Sequence, residues 1–200
     1  MNTGLPFVIM ATLLSPSLAL AADASPDPAI VTKCESCHGK GGLSKDSLTP
    51  RLNGQQRDYL ILRLKEFADP TRNTPHATYQ MWETATSVGQ RMATDIAAYF
   101  ARQAPTATKP AGALAMAGEK IYRQGSGSQI PACQQCHGSA GEGAGTVPRL
   151  AGQHAAYLEQ QMSAFMLGVR VSTPMNKHAW HMNPDQFKAL SAYLSDNEGR

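Results

Sequence analysis

Several things are scarce in this chain of 200 residues. Only 16% of its residues are charged and 6% are aromatic. Its apolar share of 42% is low for a globular protein, and much of it is alanine. That share excludes a multi-span membrane protein yet is too high for a disordered chain. Beyond the N-terminus, no run approaches the ~20 apolar residues a membrane span needs. Basic residues (18) barely outnumber acidic ones (15), and no basic patch stands out, which excludes an electrostatic nucleic-acid binder. No convincing strand pattern appears. Cysteine is limited to four positions, Cys34, Cys37, Cys133 and Cys136. At roughly 100–200 residues per domain, the length allows one domain or two small ones. Two small domains would have thin cores and would need a staple.

What is present begins with a targeting pattern. Leu5 to Leu20 is mostly apolar, and Ala19-Leu20-Ala21 fits the small-x-small cleavage rule. The segment has no Lys or Arg, so only the α-amino group is positive there. We expect residues 1–22 to be a signal peptide and the mature chain to begin near Ala22 or Asp23, in an extracytoplasmic space.

Cysteines in an exported chain ordinarily suggest disulfides, but the spacing argues otherwise. Cys34-Glu35-Ser36-Cys37-His38 and Cys133-Gln134-Gln135-Cys136-His137 are both Cys-x-x-Cys-His. This is the attachment signature of covalent haem c. Two thiols on one helical turn reach the two vinyl groups of a porphyrin, and the following imidazole, His38 or His137, meets the iron. A thioredoxin-type pair or half of a zinc site is the alternative for a single copy. Two copies that use every cysteine point to two covalently attached haem groups.

The repeat extends past the motifs. Pro50-Arg51-Leu52-Asn53-Gly54-Gln55 matches Pro148-Arg149-Leu150-Ala151-Gly152-Gln153 at an offset of 98. Tyr59 with Tyr157, Phe67 with Phe165 and Arg72 with Arg170 keep that offset; Asp95–Phe100 matches Ala189–Leu194 at 94. The drop of four implies a longer loop before the last helix of the first half. The chain therefore reads as a tandem duplication: domain 1 over 23–102, a semi-rigid Pro/Ala linker over 103–112 and domain 2 over 113–200. The expected fold class is all-α. Helices are expected over Pro28–Cys37, Gln55–Ala68, Met92–Gln103, Leu114–Arg123, His154–Leu167 and Pro184–Ser195. The last of these opens on Asn183-Pro184-Asp185-Gln186, an N-cap with a capping-box Gln.

The sixth position on each iron decides the chemistry, since a methionine there favours electron transfer. Met81 lies 14 residues before Asp95, and Met175 lies 14 before Ala189, so the two share one register. Both are expected in loops. His178 and His181 compete with Met175. The carbonyls of Pro50 and Pro148 are candidate acceptors for the second ring nitrogen of each histidine. Arg51 and Arg149 suit haem propionates. His154 reads as a surface or capping residue, and Tyr59, Phe67, Tyr99 and their copies as core packing.

Taken together, the paired motifs, the Pro-Arg-Leu-x-Gly-Gln segments and the methionine before an Ile-Ala-Ala-Tyr-Phe helix resemble the dihaem cytochrome c4 family. The resemblance covers the whole mature chain. It implies two class I cytochrome c domains with approximate two-fold symmetry, His38 and His137 as proximal ligands, and Met81 and Met175 as distal ones. It also implies a periplasmic electron carrier with possible peripheral membrane association. Its partners would be redox proteins such as a quinol-oxidising complex and a terminal oxidase. A dihaem subunit serving a flavoprotein dehydrogenase is a related reading; a haem peroxidase would need an open sixth position. Two oxidised haems with their propionates would bring the formal charge of +3 to +1.

Overall fold

A computed structural model describes residues 25–69, 77–107 and 112–195, together with Met1. The expected signal segment, Arg72 and His76 lie outside the described residues; of the longer loop expected before the last helix of the first half, the described part, from Ala77 on, is helix instead. The described chain is helical, with only isolated bridges such as Gln153 to Ser195.

The first half comprises α1 (Pro28–His38), α2 (Arg57–Ala68) and α3 (Ala77–Ala101). The second comprises α4 (Gly112–Gln124), α5 (Gln134–His137), α6 (Ala155–Met166), α7 (Thr173–Trp180) and α8 (Pro184–Leu194). Local chemistry sets several of these ends. The Asp27 side chain accepts from the Ala29 N–H ahead of Pro28, which opens α1. Asn183 and Gln186 form the expected capping box on α8.

Each half buries its own core. In the first, α2 packs on α3, and Leu60, Ile96, Ala97 and Phe100 meet. In the second, α4 and α6 pack on α8, and α7 packs on α6. There Tyr122, Leu158, Phe165, Phe187, Leu190 and Leu194 are central.

Met81 and Met175 do not sit in loops. Met81 lies in the first arm of α3, and Met175 lies in α7. The segment around Met81 carries Thr, Tyr and Trp, which are mediocre helix formers. Packing overrides that weak propensity: Ala85 and Val88 stand three apart and are both buried. The arm ends at Gly89, whose φ of 65° breaks the helix before its second arm begins.

The linker is more than a spacer. Asn53 Nδ2 donates to Ala104 O at 2.7 Å and to Thr106 Oγ1 at 3.1 Å. Pro105 and Thr106 run over Gly54 and Gly152. A Cβ on Gly54 would lie 2.5 Å from Pro105 Cβ, and one on Gly152 would lie 2.0 Å from Thr106 O. Glycine at both positions lets the chain pass between the halves.

Candidate haem centres

Both Cys-x-x-Cys-His motifs close a helix in the same way. In α1, Cys34 is half-buried, Cys37 exposed and His38 buried; around α5, Cys133, Cys136 and His137 repeat that order. No disulfide joins any of the four cysteines. Burial pushes the Cys34 thiol above its ordinary range and the Cys133 thiol up to about 11, which marks one inner, apolar thiol per motif. Gly39 and Gly138 end the helices at φ of 77° and 84°.

The histidines are oriented as the Pro-Arg-Leu segments led us to expect. His38 Nδ1 lies 2.8 Å from Pro50 O, and His137 Nδ1 lies 3.0 Å from Pro148 O. A carbonyl can only accept, so Nδ1 carries the proton and Nε2 keeps a lone pair. Burial also holds both imidazoles below their usual pKa, and so neutral. A buried, neutral imidazole with a fixed tautomer is what an iron ligand needs. Among the described residues, no three His, Cys, Asp or Glu side chains converge as a zinc centre would require. The donor set therefore fits haem c at both motifs. One outer and one inner thiol are available for thioethers, and one Nε2 for iron.

Tyrosines pin the motifs, a role beyond the packing expected of Tyr99. Tyr99 donates to Glu35 Oε1 at 2.9 Å, inside the first motif. In the second half, Tyr122 donates to Gly138 O at 2.5 Å, just after the motif.

On the distal side, Met175 is half-buried and packs against the second core. Met81 is half-buried on α3. His178, one turn beyond Met175, has a buried Nδ1 without a hydrogen-bond partner, whereas His181 is exposed.

The boundary between the halves holds residues whose roles were not legible as such. Gln55 Oε1 accepts from Arg149 N at 2.7 Å while its Nε2 donates to Arg149 O at 2.9 Å. Gln153 does the same to Arg51, at 2.9 Å and 3.0 Å. Each glutamine Oε1 also accepts the following backbone N–H, from Gln56 or His154. Two N–H groups converge on each Oε1, which fixes the amide orientation. His154 is neither a surface residue nor a side-chain cap. It is buried, and its Nε2 sits 3.0 Å from Ser44 O in the other half. Its repeat partner Gln56 donates to Glu142 O at 2.8 Å.

The two arginines expected at propionates are also held here. Arg51 Nη1 donates to Gly152 O at 2.8 Å, and Arg149 Nε to Ala151 O at 3.0 Å. Tyr59 crosses the boundary too: Arg170 Nη2 donates to its hydroxyl at 2.9 Å, and the guanidinium stacks 4.5 Å over the Phe165 ring. The one signal in the sequence for this seam was the repeated glutamine, which packing alone did not require.

A helical module built around a Cys-x-x-Cys-His haem-attachment motif marks a c-type cytochrome, and this chain has the motif twice. The cytochrome c family model matches residues 115–198. A cytochrome c-552 of Acidithiobacillus ferridurans is 40% identical, over 88% of this chain and 78% of that protein. A thiosulfate dehydrogenase electron acceptor of Thiomonas intermedia is 34% identical, over 93% of this chain and 88% of that protein. The solved cytochrome c4 of Acidithiobacillus ferrooxidans superposes with a TM-score of 0.77 and 39% identity, over 82% of this chain and 99% of that one. The chain belongs to the cytochrome c4 family, whose members carry electrons and are not enzymes. The two haems expected from the motifs follow from that membership.

Proposed function

We propose that the chain is a periplasmic one-electron carrier. Cys34 and Cys37 bind one haem, and Cys133 and Cys136 the other. His38 and His137 supply the proximal nitrogens, and Met81 and Met175 the distal sulfurs. The haems divide between domains at 23–102 and 113–200, joined by 103–112. The observation that carries this is the matched pair of Nδ1 contacts to Pro50 and Pro148, which leaves one Nε2 per motif. When bound, the haem iron supplies the redox couple. The chain's own residues hold the imidazoles neutral and oriented, and pin each motif through Tyr99 or Tyr122.

Its partners in this reading are a quinol-oxidising complex on the donor side and a terminal oxidase on the acceptor side. Association with the membrane would be peripheral; among the described residues no helix is long and apolar enough to cross one. A second reading is that a dehydrogenase donates the electrons. The relative named as a thiosulfate dehydrogenase electron acceptor, aligned over 93% of this chain, favours it.

Haem counting and spectra test the site. The holoprotein should carry two low-spin haems, each with a sulfur-to-iron charge-transfer band. Met81→Ala and Met175→Ala should each abolish half of that band. A native band of half that size, unchanged in Met175→Ala, together with a high-spin haem in His178→Ala, would move ligation to the histidine. A native high-spin haem that binds peroxide would favour the peroxidase chemistry instead. Co-purification from membranes, with and without a dehydrogenase, separates the two partner readings.

A further inference from the structure

The peptide groups that orient the proximal histidines also reach across the domain boundary. The Pro50–Arg51 peptide has two ends. Its carbonyl takes the His38 Nδ1 proton at 2.8 Å, and its N–H donates to Gln153 Oε1, in the other half, at 2.9 Å. The Pro148–Arg149 peptide mirrors it. Its carbonyl accepts from His137 at 3.0 Å, and its N–H donates to Gln55 Oε1 at 2.7 Å. Both glutamines are buried, at 7% exposure for Gln55 and 6% for Gln153, so water does not compete for these bonds.

We propose that each glutamine is a positioning residue for the iron of the opposite domain: Gln153 tunes the first haem, and Gln55 tunes the second. The inference rests on His38 and His137 being the proximal ligands. Hydrogen bonds in series through one amide polarise one another. When Arg51 N–H donates to Gln153, electron density shifts toward Pro50 O, which becomes a stronger acceptor. The His38 Nδ1–H bond tightens, and the imidazole becomes the more basic ligand at Nε2. A more basic ligand stabilises the oxidised iron and lowers its potential. Loss of the glutamine therefore raises the potential of the haem in the other half. The space at this seam, lined by Arg51, Gln55, Arg149 and Gln153 among others, is narrow and partly open, about 10 Å³. That is room for about one water at most, so solvent does not readily replace the lost amide.

The test uses the full-length holoprotein with both haems loaded. The potential of each haem is followed by NMR through resonances of its own domain. The His38 and His137 Nδ1–H protons are read in the reduced state. Gln153→Leu should raise the potential of the first haem, and Gln55→Leu that of the second. Each shift should be on the order of threefold to tenfold in the reduction equilibrium, where tenfold is about 59 mV for one electron. The Nδ1–H resonance should move upfield at the opposite histidine only. Gln56→Ala loosens the same boundary without touching either peptide, and should not reproduce the crossed pattern. If a leucine variant does not fold, Gln153→Asn and Gln55→Asn, which shorten the reach, give the same crossed reading. Equal shifts at both haems, a shift confined to the glutamine's own domain, or no shift at all would overturn the proposal. Failure of the ligand assignment looks different: His38→Ala would then leave both haems low-spin.

Discussion

The two halves carry the same motif and solve its support differently. Among the described residues, the second half gathers nine buried residues in its core, and the first gathers four. The segment bearing Met175 is a short helix, separated from α8 by a turn and a capping box. The segment bearing Met81 is joined to the last helix through a single kinked glycine. In the second half, α4 lies close on α8, where Gly118 leaves no space for a side chain. Duplication thus preserved the haem-attachment motifs and the boundary, while the scaffolding behind them diverged. Among the described residues the first half has less core of its own, and so leans more on its cofactor and on its neighbour.

The comparison can be broken most strongly at Gly118. A Cβ there would lie 1.9 Å from Ala189 O, a backbone atom that cannot yield. Gly118→Ala should cost about 3 kcal/mol and melt the second half first, reversing the expected order. Domain-resolved thermal unfolding checks this; coincident melting of both halves would count against independent cores.

The two tyrosine pins come next. Tyr122 is fully buried, so Tyr122→Phe leaves the Gly138 carbonyl only the longer bond from Gly141 N–H, at 3.3 Å, and should cost about 1–1.5 kcal/mol. Tyr99→Phe, at a half-exposed site against a carboxylate, should cost less than about 1 kcal/mol. Denaturant midpoints of the two variants measure the difference.

The smallest effect is a change of slope at alkaline pH. Burial holds the Tyr157 hydroxyl above its ordinary pKa of 10.0. The unfolded chain ionises near that ordinary value, while the folded chain keeps its proton. The stabilisation is therefore complete below pH 10 and declines as pH rises beyond it. Tyr157→Phe should flatten that alkaline decline, on top of a pH-independent loss of the hydroxyl's bond with Arg170. Unfolding curves from pH 8 to above pH 10 would show it.

The sequence announced both motifs, the helices near Pro28, Arg57, Ala155 and Pro184, and the two proline carbonyls, because each depends on near neighbours in the chain. Caps, turn glycines and a Cys-x-x-Cys-His spacing are all local. The helix around Met81 was not legible, since its propensity is poor and its partner face comes from α2. His154 read as a surface residue because nothing local says that Ser44 of the other half covers it. Arg51 and Arg149 were placed by charge type, and their bonds to backbone carbonyls at the seam were not legible from that. A repeat reports which residues recur, but not that the two copies face each other.

The exchange of glutamines has a consequence for how such a protein can change over generations. Duplicated modules usually drift apart, since each is answerable only to itself. Here a substitution at residue 55 or 153 of one copy alters the footing of the histidine in its twin. Neither copy is a private possession of its own half. The pair is inherited as one unit, and a module excised alone would lack the amide that its own sequence cannot supply.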